Sequence, residues 1–66
     1  MLNQIVIEAE AQGWKFEGSA SMEVRFTSEK GQALVVWGTM DFSIEWAVMV
    51  EGKQIETGEG WTIPQA

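Results

Sequence analysis

The stretch MEVRFTSEKGQALVVW, residues 22–37, sets two apolar runs around a short polar segment. Met22, Val24 and Phe26 alternate with Glu23, Arg25 and Thr27, the period of a strand that buries one face. Residues 28–32, SEKGQ, read as a type I turn with Gly31 in the left-handed position of a G1 bulge. A three-residue loop of Glu29, Lys30 and Gly31 pairs Ser28 with Gln32, and therefore Phe26 with Leu34 and Val24 with Val36. Register decides the faces, because a slip of one residue exchanges them. In this register Leu34 and Val36 join the core, while Ala33, Val35 and Trp37 fall beside Glu23, Arg25 and Thr27. A two-residue turn at Lys30 and Gly31 would instead leave Leu34 and Val36 outside, so either register puts apolar residues there.

Beyond Trp37, GTMD (38–41) leads to FSIEWAVMV (42–50), with Phe42, Ile44, Trp46, Val48 and Val50 inward. Ser43, Glu45, Ala47, Met49 and Glu51 then point outward. A hairpin turn at EGKQ (51–54) precedes IETGEGWTI, a weaker, glycine-interrupted edge strand. Pro64 ends the pairing. Upstream, Trp14 and Phe16 face one way in a short strand, and GSAS (18–21) reads as a turn or loop. Earlier still the period is helical: Leu2, Ile5, Val6 and Ala9 share a stripe. The spacing predicts a helix over about residues 2–12, with Asn3 as candidate N-cap and Gly13 as C-cap. The expected fold is α+β: one N-terminal helix on a four- to five-stranded antiparallel meander, two layers, a single domain over residues 1–66.

Sixty-six residues bury only about 60% of their unfolded surface. Such domains usually add disulfides, a metal or dense aromatic packing. Cysteine and histidine are both absent, so no disulfide, zinc site or cofactor is expected. Trp14, Trp46 and Trp61 are therefore read as core. The charge of −6 sets ten carboxylates against Lys15, Arg25, Lys30 and Lys53. Cations so few and scattered argue against direct nucleic-acid binding, and the acidity favours basic partners. No apolar run approaches the ~20 residues of a membrane span, and no signal peptide is evident, so the expectation is cytoplasmic.

Catalytic chemistry finds little to work with. No His or Cys is present to activate a nucleophile. Glu45 beside Glu23 or Glu51 is the one carboxylate pair that can be placed together, and solvated acids are its plainer reading. ETGEG (56–60) lacks the oxygen-rich loop of a calcium site, and SEKG lacks the glycine lead of a phosphate loop. No enzyme is expected.

A single helix shields one sheet face, which leaves Val35, Trp37, Ala47 and Met49 as an island on the other. Glu23, Glu45 and Glu51 fence it, with Arg25 nearby. Apolar patches with polar rims mark interaction sites. The expectation is a non-enzymatic, acidic protein-binding module that docks on a basic protein and plausibly inhibits it. On a nucleic-acid-binding partner, Glu23, Glu45, Glu51, Glu56 and Glu59 would occupy phosphate sites. In size and acidity the chain resembles phage-encoded inhibitors of host defence enzymes, anti-CRISPR proteins among them. That resemblance rests on size and charge, with no shared motif, and implies the same inhibitory role. The alternatives are a homodimer stacked through the island, a small-ligand site on the tryptophans, or a final segment folded over this face.

Overall fold

The computed structural model describes residues 2–66, with side chains from residue 3 onward. Helix α1 spans Leu2–Ala11 and is followed by strands β1 (Lys15–Ala20), β2 (Glu23–Thr27), β3 (Gln32–Gly38), β4 (Ile44–Val50) and β5 (Lys53–Glu59). Ile5 and Ala9 are buried against the sheet, while Ile7, Glu8 and Glu10 face outward. The side chain of Leu2, expected in the same stripe, lies outside the described residues. Asn3 sits within the first turn and is not an N-cap. Gly13, at φ +95°, ends the helix as the spacing predicts. Its N–H bonds Glu10 O, and the Trp14 N–H reaches back to Ala9 O, both at 3.0 Å. These two bonds form a Schellman cap. Among the described residues no helix is long and apolar enough to cross a membrane.

The strands form one antiparallel sheet in the order β1-β2-β3-β4-β5. Phe26 faces Leu34 and Val24 faces Val36, the register of the three-residue loop. Gly31, at φ +81°, donates to Ser28 O at 3.1 Å, and Ser28 donates to Gln32 O at 3.0 Å. The two-residue alternative is excluded. Pairing continues from Val36 to Trp46 and from Leu34 to Val48, so these four side chains form one buried layer with Val24 and Phe26. Glu51 and Gly52, both at positive φ, make a two-residue type I′ turn that pairs Val50 with Lys53.

Several sequence expectations fail at strand ends. Residues 18–20 are not a loop: they pair with β2 after a bulge between Phe16 and Gly18. The bulge restores alternation that the extra Glu17 would have broken. Met22 falls in the following turn and is exposed. Phe42 is not the first inward residue of β4. It lies in the β3–β4 loop, 92% exposed and at φ +65°. That loop repeats the geometry of the β2–β3 loop, since Thr39 donates to Ser43 O at 2.9 Å and Phe42 donates to Thr39 O at 3.2 Å. Phe42 thus occupies the position that Gly31 fills in the first loop. A left-handed backbone costs a residue with a Cβ about 1–2 kcal/mol, so the substitution of Phe for Gly carries strain.

The helix lies over β1 and β2, and other groups cover the rest of that face. Residues 61–66 turn back toward the helix, where Ile63 enters the core. Trp14 Nε1 donates to Pro64 O at 2.7 Å, and Ala66 N donates to Gln12 O at 2.9 Å. Trp61, expected in the core, is 43% exposed and lies beside Gln4, Ile7 and Glu8. Ile63 takes the interior place, and the tail's return to the helix leaves Trp61 on the rim. Trp46 spreads its benzo ring over Gly58 of β5, where any Cβ would overlap it. Among the described residues its Nε1 finds no hydrogen-bond partner. Gly58→Ala should therefore cost about 1–3 kcal/mol by overpacking, read from urea unfolding. Trp46→Phe in the same chain should recover part of the loss, and strictly additive effects would contradict the contact.

Candidate functional site

Cross-strand register assembles the face opposite the helix from three rows of side chains. The first runs Ala20, Glu23, Trp37, Glu45 and Glu59 across all five strands. The second runs Gly18, Arg25, Val35, Ala47 and Thr57. The third runs Lys15, Thr27, Ala33, Met49 and Gln54. The helix and the tail both lie on the other side, so neither covers these rows.

Seven of the eight expected site residues share this face as predicted: Val35, Trp37, Ala47, Met49, Glu23, Arg25 and Glu45. Val35, Trp37 and Met49 are each half-buried. Ala47, at 3% exposure, is a floor under its larger neighbours and offers a partner little surface. Glu51 does not stand on the face at all, because it occupies the left-handed first position of the β4–β5 turn. Glu56 pairs with Val48 and so shares the helix side of the sheet. Glu59, which pairs with Glu45, completes the acidic row instead. A bulge between Val48 and Met49 shifts the later β5 residues and makes this difference.

Trp37 is held by its neighbours. Its Nε1 donates to Glu45 Oε1 at 3.1 Å, which fixes the indole against β4. Arg25 Nε donates to Glu23 Oε2 at 2.6 Å, and this carboxylate holds the guanidinium even more firmly protonated than usual. With Arg25 committed to Glu23, Glu45 and Glu59 face one another without a cation between them. Their strands also form a shallow cavity of about 360 Å³ lined by Trp37, Glu45, Gln54, Thr57 and Glu59 among others. An indole face beside carboxylates suits a cationic side chain, through cation–π attraction and ion pairing.

The meander gathers the lysines at one end of the strands, where Glu29 and Glu51 join them in the turns. Lys15, Lys30 and Lys53, all the lysines of the chain, lie at the end that carries the β2–β3 and β4–β5 turns. Glu23, Glu45, Glu59 and Asp41 lie at or near the opposite end. Among the described residues no group of three or more acidic side chains is arranged to hold a metal ion.

No family model matches the chain, and comparisons with curated proteins and with solved structures gave no match either. Like charges directly opposed across two strands are destabilising. Glu59→Lys, which turns the Glu45–Glu59 repulsion into attraction, should stabilise the fold by about 0.2–1 kcal/mol. Urea unfolding at low ionic strength measures the gain. It should shrink at about 1 M salt, where screening reaches ~3 Å; a gain that ignores salt would mean the two carboxylates do not interact.

Proposed function

We propose that the chain is a non-enzymatic protein-binding module that docks through its open sheet face on a protein with a basic surface. One observation carries this reading: Trp37 stands in a single cross-strand row with Glu23, Glu45 and Glu59, on a face that neither helix nor tail covers. Such a row joins the two contributions that interfaces use. A large, partly desolvated aromatic gives slow dissociation, and surrounding charge of one sign steers the encounter. The overall −6 charge adds a long-range attraction toward cationic surfaces.

The partner's class follows from the same chemistry. Carboxylates spaced across adjacent strands compete with phosphates for Lys and Arg, so a nucleic-acid-binding protein is a fitting target, and occupation of its phosphate sites would inhibit it. A homodimer stacked through this face would set two acidic rows against each other, which disfavours it.

Affinity capture from a lysate of the source cell, at low and high salt, tests the reading when wild type and variants are run side by side. Trp37→Ala should weaken capture by roughly 2 kcal/mol, a hot-spot loss. Glu45→Lys should slow association and flatten its salt dependence. A catch that is indifferent to both substitutions, or an acidic one, removes the open face as the docking surface. A tight dimer in sedimentation that buries Trp37 replaces the reading with self-association.

A further inference from the structure

Among the described residues, the most exposed apolar side chains are not on the sheet face. Met40 is 100% exposed and Phe42 is 92% exposed, and both belong to the β3–β4 loop at the acidic end of the sheet. Neither touches the core, so neither contributes to stability by burial. The loop that carries them is nonetheless well ordered by its own bonds. Ser43 N donates to Thr39 Oγ1 at 3.2 Å, and Ser43 Oγ donates to Asp41 Oδ1 at 2.8 Å. The Thr39 hydroxyl donates to the same Asp41 oxygen. Phe42 holds the left-handed position that glycine fills in the matching β2–β3 loop. A strained backbone, a braced loop and two solvated hydrophobic side chains bring the folded monomer no return. Strain of this kind points toward function.

We infer that the β3–β4 loop is a docking prong: Met40 and Phe42 enter an apolar pocket of a partner protein, and that pocket is rimmed by Lys or Arg. The inference rests on the proposed basic partner and goes beyond it, since it uses a loop rather than the sheet face. Charge selects the occupant. Asp41 lies between the two apolar residues in sequence, and the Thr39 and Ser43 hydroxyls hold its carboxyl below the usual carboxylate range. Glu45 and Glu59 stand at the same end, and every lysine stands at the other. A second copy docking loop to loop would bring Asp41 against Asp41 with no cation to offset it. A pocket with a cationic rim meets the apolar tips and the charge between them together. Fixing the loop in advance also lowers the ordering cost of binding.

Two variants separate the strain from the binding. Phe42→Gly removes the left-handed penalty and deletes a solvated ring, so its melting temperature should rise by about 4 °C or more. A lower melting temperature would mean that the ring supports the fold, which overturns the premise. For binding, a random-peptide phage library panned against the immobilised chain serves as the probe. The enriched peptides should combine a large apolar residue with Lys or Arg. They should bind Phe42→Gly roughly thirtyfold more weakly, with Met40→Ser also weakened, and should shift the amides of residues 39–43 in NMR spectra. No enrichment, uncharged or acidic peptides, or equal binding to Phe42→Gly overturns the inference. Peptides lost with Trp37→Ala but retained by Phe42→Gly reject the prong while leaving the sheet-face reading standing. A dimer in sedimentation that dissociates on Phe42→Gly assigns the loop to a second copy and likewise overturns it.

Discussion

A slip of one residue between β2 and β3 would turn Leu34 and Val36 out to solvent and drive Val35 and Trp37 into the interior beside Phe26. The left-handed turn at Gly31 prevents that slip, because its bond to Ser28 O and the closing pair Ser28–Gln32 allow only one register. The rest of the meander inherits its faces from this hairpin. Val36 meets Trp46 and Leu34 meets Val48 because β3 presents them to the helix side, and Trp37 meets Glu45 for the same reason on the other side. One glycine therefore places both the core layer and the acidic row that holds the half-buried indole.

A chain this small cannot cover both sides of a five-stranded sheet. Its helix has ten residues and lies over β1 and β2, so even the protected side needs supplements. Ile63 from the tail supplies one, pinned there by the bond from Trp14 to Pro64. The indole of Trp46 supplies another by reaching over Gly58, a position where only glycine leaves room. These devices stand in for the disulfides and metals that other small domains use. None of these devices reaches the second face, where Ala47 is nonetheless buried.

The elements that sequence made legible are those governed by local rules. The helix stripe, its glycine cap, the β2–β3 loop and the register that follows from it all came from period and turn chemistry. Seven of the eight expected site residues landed on the open face because alternation carries through β3 and β4. Two of the misplacements share a cause: an extra residue resets alternation, and a bulge is invisible to a period-two count. Glu17 does this in β1, and in β5 the extra Ile55 opposite the Val48–Met49 step puts Glu56 on the helix side and Glu59 on the open face, the reverse of an unbroken count. Trp61 was misread for another reason, since hydrophobic character cannot tell which of two neighbouring tail residues takes a single interior place. Phe42 was misread because Phe is a poor left-handed residue. A signal was nonetheless available: Thr39 to Ser43 matches Ser28 to Gln32 in spacing, with Phe42 at the place of Gly31.

Natural sequences are mostly consistent across levels, so conflicts between local rules and the observed fold are informative. Two such conflicts in this fold lie close together. Glu45 faces Glu59 across adjacent strands, and Phe42 holds a glycine's conformation while its ring stands in water. Each is unfavourable in isolation, and each lies at or near the same end of the sheet, away from the three lysines. Were they random defects, they would have no reason to collect where the negative charge and the exposed apolar side chains also collect. A cationic, partly apolar surface would relieve both at once, by neutralising the carboxylates and by removing the ring from solvent. The strain retained by the free protein and the complementarity offered to such a surface are then one property, seen without and with its counterpart.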